Sequence, residues 1–486
     1  MRNIKRMLFF LPIILTAQMV ISQSIQEDDR IKQRIDDYLT KGVSKGLTGT
    51  VLVYKEGKTL LNKGYGFADK ENEILNTPTT VFDIGSVSKQ FTAAAILKLE
   101  EQGKLKVEDV LSKFFDNLPE DKKNITIHQL LIHSAGIIRA IGKSDFDIIS
   151  TKDYFNELFA TQLTHEPGTK HEYSNAGYSI LSRIIELVSG QSYESYLNQY
   201  LFMPAGMKHT GYLLPKWGDM SIAKGYSYNV MNIGTMLERY KKDNAVSWVV
   251  KGNGGIHSTQ EDLYKWYQAL ISNNVLSNEL VEKMTKPYIL EFEGETSYYS
   301  YGWVVFQSPR NTKMIAHDGS NGTFFYDYRW FPKEDVLIIY GTNAFTTKIG
   351  GIGWWVDKML FDEAYTPKPI EPDFVSSLLE YSEKFKGSLA ELESKIIEQF
   401  GSEIAKPFYL NRLSGLYSRN YMFEKAILFA ELNIELFPND SNLWDSLGQA
   451  YYNKGNIKNA LVAFREAVAL DANNSYAQEM IKKLTN

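Results

Sequence analysis

The sequence predicts an α+β domain followed by an all-α domain, and three observations carry that expectation. Strand-like alternation occurs near the N-terminus and again between residues 300 and 340, while helical periodicity fills the stretch between them. Beyond a proline-rich break at 367–373 the periodicity is helical throughout. Strands from both ends of a segment whose middle is helical fit one antiparallel sheet with a helical lobe inserted between its halves.

Taken in order, Arg2, Lys5 and Arg6 precede an apolar run from Met7 to Ile21 and then Ser22-Gln23-Ser24. A basic start, a short apolar core and small residues describe a secretory signal peptide over 1–22. The apolar run is shorter than a bilayer crossing, so cleavage leaves a secreted or periplasmic chain with no stable membrane span. Cysteine is absent; no disulfide or lipid-modified cysteine can form, and the fold must rest on its own core. Loss of the three basic residues takes the net charge from −5 to −8 (−5 − 3), which argues against nucleic acid as a partner. The histidines at 128, 133, 165, 171, 209, 257 and 317 show no metal-ligand spacing. Neither a metal nor a cofactor is expected.

The first domain is assigned to 23–366. Thr50–Tyr54 and Thr59–Asn62 flank Lys55-Glu56-Gly57-Lys58 and read as a β-hairpin with Gly57 in the turn. Apolar residues recur at helical spacing in 90–101, 126–132, 151–161, 177–189, 192–203 and 260–272. Strand-like runs return at Ser300–Phe306, Lys313–Ala316, Thr323–Trp330 and Asp335–Tyr340, followed by a helical stretch with Trp354, Trp355, Val356, Met359 and Leu360. Residues 367–373 form the linker.

The helical domain is assigned to 374–486. Trp444, Leu447, Gly448 and Tyr451, with Ala460 and Phe464, match the tetratricopeptide (TPR) pattern. One repeat period earlier stand Leu410, Leu413, Ser414, Tyr417 and Ala426, closed by Pro438, a degenerate copy with Leu410 in place of the Trp and Ser414 in place of the Gly. Two TPR repeats near 410–443 and 444–477 are therefore expected, with 374–406 contributing an earlier, atypical helical pair. Stacked helix pairs of this kind offer a surface for a protein partner or for self-association.

The chemistry starts at Ser86-Val87-Ser88-Lys89. A serine and a lysine three apart at a helix start share a face. A serine hydroxyl needs a base beside it, and a lysine serves when burial lowers its pKa. The helix start also offers backbone N–H groups to a developing oxyanion. Tyr173-Ser174-Asn175 follows the turn Pro167-Gly168-Thr169-Lys170. Tyr173, its pKa lowered by a neighbouring ammonium, is the candidate proton carrier, and Asn175 the amide that orients substrate. His317-Asp318-Gly319 ends a strand, where Gly319 permits close approach and the Ser320 amide is a second oxyanion donor.

In this order the motifs resemble the serine β-lactamase and penicillin-binding-protein superfamily, in particular its class C-like branch. The resemblance runs from about Asp36 to about Tyr365 and is supported by Ile125–Gly136, Pro204-Ala205-Gly206-Met207 with Thr210, and Gly252–Thr259. It implies a β-lactamase/transpeptidase-like fold. It also implies Ser86 as acyl-forming nucleophile, Lys89 as base, Tyr173 as proton shuttle and the amides of Ser86 and Ser320 as the oxyanion hole. Members that hydrolyse penicillins well usually carry Lys-Thr-Gly where this chain has His317-Asp318-Gly319. A histidine is only partly charged at neutral pH and Asp318 adds a negative charge.

The leading expectation is thus a secreted serine hydrolase, of peptidase or esterase type, acting on a small acyl or peptide substrate through an acyl-enzyme. A true β-lactamase or penicillin-binding DD-carboxypeptidase, and a non-catalytic scaffold that uses the TPR repeats, are the competing readings. Specificity is expected on the loops Ile137–Phe146 and Trp217–Val246, with Tyr226, Tyr228 and Trp248 either lining the pocket or packing.

Overall fold

The structure is a computed structural model, and it describes residues 26–485 apart from 243 and 244. The predicted signal peptide lies outside the described residues. The chain divides into two compact units: Tyr226–Ile233 and everything from Glu371 onward form the second, and the remainder forms the first.

The first unit is built on an eight-stranded sheet. In chain order its strands are β1 (Gly49–Lys55), β2 (Lys58–Tyr65), β3 (Ile289–Leu290), β4 (Tyr298–Tyr299), β5 (Val304–Gln307), β6 (Lys313–Ser320), β7 (Phe325–Phe331) and β8 (Val336–Thr342). Their spatial order is β3-β4-β5-β6-β7-β8-β1-β2, all antiparallel. The N-terminal hairpin, turning at Glu56 and Gly57 with positive φ, thus joins the C-terminal strands, with Leu52 opposite Ile339. The predicted strand Ser300–Phe306 is interrupted at Gly302, whose φ is +74°. A Cβ there would stand 2.7 Å from the Lys89 carbonyl oxygen, so the chain turns against the backbone at Lys89 instead of running straight.

One core joins the sheet to helix α1 (residues 26–43) and helix α2 (Ile352–Phe361): Ile31, Ile35 and Leu39 pack with Val51, Val53, Ile338, Ile352 and Val356. The inserted lobe centres on helix α3 (Lys89–Glu101), buried on nearly every side from Lys89 to Leu97. A helix that apolar all round has to be enclosed. Gln90 accepts from the Trp266 indole at 2.7 Å, and Phe91 packs edge-on to Trp266 and Phe202. Gln260, at the start of helix α4 (Gln260–Ile271), donates to the Ile339 carbonyl at 2.8 Å and accepts from Thr50 at 3.0 Å. Lobe and sheet are thereby stitched at buried polar atoms that would otherwise be unsatisfied.

The second unit is helical apart from the Tyr226–Ile233 stretch. Its helices are Phe374–Lys384, Leu389–Phe400, Pro407–Arg419, Phe423–Leu436, Ser441–Asn453, Ile457–Leu470 and Ser475–Thr485. Pro407 and Ser441 open successive helix pairs 34 positions apart (441 − 407), the tetratricopeptide period. Gly448 lies where a Cβ would press on the Phe464 ring at 2.7 Å. In the degenerate copy, the Ser414 hydroxyl that replaces this glycine donates to the Ala426 carbonyl at 2.8 Å.

Candidate active site

Ser86 sits in a 3-10 turn, Gly85–Ser88, that runs straight into the helix beginning at Lys89. Two glycines let the end of β6 press on this turn. A Cβ on Gly319 would lie 2.2 Å from the Ile84 carbonyl oxygen and 2.5 Å from the Ser86 nitrogen; one on Gly85 would lie 2.6 Å from the Ser320 nitrogen. The amides of Ser86 and Ser320 are neighbours for that reason. The buried Asp83 carboxylate holds the arrangement, accepting at 2.7 Å from the Gly85 amide, the Tyr240 hydroxyl and the Asn321 side chain.

Lys89 is fully buried. Its Nζ lies 3.0 Å from Ser86 Oγ and 2.9 Å from Asn175 Oδ1, and it also contacts the Asn253 carbonyl. The rings of Tyr173 and Tyr178 stand 4.8 and 5.6 Å from it. Burial, reinforced by the charge of Arg139, drives its pKa well below the ordinary lysine value.

Tyr173 precedes Ser174, the N-cap of helix Asn175–Ser189; the cap hydroxyl accepts from Gly177 N at 2.9 Å and donates to the Ile138 carbonyl at 2.7 Å. Ser86 is a hydrogen-bond partner of the Tyr173 hydroxyl. Burial pushes this phenol up, opposite to the sequence-based expectation of a lowered value. Burial is the largest cause; it outweighs the Ser86 hydrogen bond and the Arg139 charge, which both lower the value, and the Asp318 charge adds to it.

His133, in the left-handed region with φ +56°, is buried with its ring 4.2 Å from that of Tyr173 and accepts at Nδ1 from the Ser174 amide at 3.1 Å. His317 is buried too. Its Nδ1 contacts the Asp318 carbonyl, which can only accept, so Nε2 accepts from the Tyr299 hydroxyl at 3.0 Å. Burial, with the Lys89 charge next, pushes the imidazole down to about 3. It is therefore neutral at working pH, a stricter condition than the partial charge expected from sequence. Asp318 and Glu291 line a cavity of about 670 Å³ together with Arg329 and Trp354.

The sequence matches the family described as Beta-lactamase over residues 28–356, and the tetratricopeptide repeat over 441–474. The chain belongs to the beta-lactamase family. It is 34% identical over 283 residues to the putative penicillin-binding protein PbpX of Bacillus subtilis (strain 168), covering 58% of this chain and 67% of that protein. It is 31% identical over 293 residues to penicillin-binding protein 4* of the same organism, covering 58% of this chain and 64% of that one. The chain thus spans about two thirds of the length of these curated relatives. Among solved structures, the octameric penicillin-binding protein homologue from Pyrococcus abyssi superposes with a TM-score of 0.59 and 25% identity, covering 73% of this chain and 82% of that chain. The protein is a beta-lactamase-fold serine hydrolase.

In this beta-lactamase-family enzyme the residues singled out from sequence come together. Ser86, Lys89, Tyr173 and Asn175 are in mutual reach, His317 lies near Tyr173 with ring centres 6.4 Å apart and tilted, and Gly319 and Ser320 bring backbone to Ser86. Sequence reasoning missed the Asn253 carbonyl, His133, Tyr299 and Arg139. Asn253 lies inside the Gly252–Thr259 signature, yet a backbone acceptor leaves no mark on residue identity. Of the aromatic candidates, Tyr226 and Tyr228 fall in the second unit, Tyr226 fully buried, while Trp248 packs on Phe155 with ring centres 5.0 Å apart.

Proposed function

We propose that this serine hydrolase cleaves peptide or ester substrates through a covalent acyl-enzyme, with Ser86 as nucleophile, Lys89 as its base and Tyr173 as proton carrier. One observation carries the reading. A neutral amine has two N–H bonds and one lone pair, and two of its three contacts, Asn175 Oδ1 and the Asn253 carbonyl, can only accept. The N–H bonds go to those oxygens, and the lone pair is left facing the Ser86 hydroxyl 3.0 Å away. The amine takes the Ser86 proton as Oγ bonds to the substrate carbonyl carbon, and the amides of Ser86 and Ser320 receive the oxyanion. When the C–N or C–O bond breaks, the leaving group is protonated through the Tyr173 phenol, which recovers its proton from Lys89. Water then attacks the acyl-enzyme by the reverse route. Asn175 holds both the lysine and the substrate.

A peptidase or esterase is favoured over a β-lactamase because the neutral His317 and the acidic Asp318 offer no cation where a β-lactam carboxylate is usually held. The basic-apolar leader of the sequence supports export, and no helix among the described residues is long and apolar enough to cross a membrane. The repeats support a protein partner or self-association, and one similar protein is octameric.

Ser86→Ala should lower kcat/KM on a p-nitrophenyl ester or a D-amino-acid peptide by about 10⁴-fold or more. It should also abolish labelling by a fluorescent penicillin read by intact mass. Turnover by the alanine variant at the parent rate overturns the assignment. Nitrocefin should be turned over slowly or not at all.

A further inference from the structure

The loop that follows Gly136 brings a guanidinium to the mouth of the site. The Arg139 guanidinium carbon stands 5.4 Å from the centre of the Tyr173 ring. Its main chain is fixed rather than free: the Ile138 carbonyl accepts from the Ser174 hydroxyl at 2.7 Å and the Arg139 carbonyl accepts from the Ala176 amide at 3.1 Å. Those two anchors flank Tyr173 and Asn175, so the arginine and the phenol share one rigid platform. The side chain is exposed, and its charge acts on Lys89, His133 and Tyr173. Among the described residues no carboxylate forms an ion pair with it.

Charges of the other sign lie on the strand side of the cleft. Asp318 and Glu291 both act on Tyr173 as negative charges, and they share the cavity beside β6. An anionic substrate group is therefore repelled from the strand side of the cleft and attracted to the lobe side. The phenol delivers its proton to the departing atom, and in an amino-acid or hydroxy-acid leaving group the carboxyl carbon is only two bonds from that atom. A carboxylate so placed comes within reach of a guanidinium stacked over the same ring, and guanidinium–carboxylate recognition is strong and directional.

Resting on the acyl-enzyme reading above, we propose that Arg139 is the specificity residue that seats the carboxylate of the leaving group, so that the anion site lies on the helical lobe rather than on the strand of His317-Asp318-Gly319. The favoured substrates are then acyl compounds whose departing amine or alcohol carries a free α-carboxylate.

The test compares, in the full-length protein, two esters with the same acyl-D-alanyl group, one of D-lactate and one of methyl D-lactate. They differ only in the carboxylate. The readout is the ratio of their kcat/KM values, free acid over methyl ester, which is insensitive to a uniform change in catalytic rate. The parent should favour the free acid. Arg139→Gln should lower the ratio about thirtyfold, equivalent to ~2 kcal/mol, by raising KM for the acid, and Arg139→Lys should keep part of the preference. A ratio in Arg139→Gln within threefold of the parent overturns the assignment of Arg139 while leaving the hydrolase reading intact. Turnover of neither ester by the parent, with no labelling of Ser86 by a fluorophosphonate, overturns both.

Discussion

Lys89 reaches the Asn253 carbonyl across 164 positions of chain, whereas Ser414 reaches the Ala426 carbonyl across 12. The two units of this protein are assembled on different principles. In the first, the candidate site's atoms come from a 3-10 turn, a helix start, a loop and a strand end that meet only when the whole sheet has closed. In the second, each helix pair packs on its sequence neighbour, and its cores (Leu410, Leu413, Phe429 and Leu443; Ala460, Phe464, Ala477 and Met480) draw on that unit alone. Chemistry that depends on sub-ångström placement sits where non-local contacts over-determine the backbone. The repeat architecture spends its residues on surface and modular stability.

If that contrast is right, a methyl group at the junction of turn and strand should be the most damaging change short of removing the Ser86 hydroxyl itself. Gly319→Ala puts a carbon against the Ile84 carbonyl and the Ser86 nitrogen, both backbone atoms that cannot swing aside. The strand end or the turn must move by an ångström or so, and kcat/KM on a p-nitrophenyl ester should fall at least a hundredfold. An alanine variant with parental kinetics would mean the close approach has no bearing on the oxyanion donors.

A large deletion in the second unit should do the reverse. Phe464 is fully buried, and Phe464→Ala should cost that unit about 3–5 kcal/mol. Calorimetry should record a lowered transition for the repeats, while ester turnover at 25 °C stays at the parent level. Loss of turnover in step with that transition would show the units to be one cooperative body and dissolve the comparison.

The same contrast decides what could be read from the sequence. The β1–β2 hairpin, the sheet built from both ends and the repeat helices were legible because periodicity, turn glycines and a fixed repeat spacing are local signals. The grouping of Ser86, Lys89, Tyr173, Asn175 and His317 in one place was legible because their side-chain chemistry is rare in that order. The split of the predicted strand at Gly302, the short strands Ile289–Leu290 and Tyr298–Tyr299, and the passage of Tyr226–Ile233 into the second unit were not, since each is set by what packs against it. The protonation of Tyr173 was read with the wrong sign for a related reason. Sequence puts a lysine beside a tyrosine, but only the fold shows that both groups are buried and that burial outweighs the other influences on the phenol.

The smallest expected effect is also the one that tests this point most directly. The base must be unprotonated, and its pKa in the fold lies below the ordinary lysine value of 10.5. Turnover of a neutral ester is therefore present above that folded value and lost as pH falls through it. Tyr173, pushed up by burial, contributes no alkaline loss below pH 10. The flanking charges set the position of the acid limb with opposite signs. Arg139 lowers the Lys89 pKa, so Arg139→Gln should move the limb of kcat/KM to higher pH; Asp318 raises it, so Asp318→Asn should move the limb to lower pH. Both shifts are read from pH profiles on the methyl D-lactate ester, which carries no charge of its own to be repelled or attracted. Movement of both limbs in the same direction would mean that the group titrating is not the amine at residue 89, on which these two charges act with opposite signs.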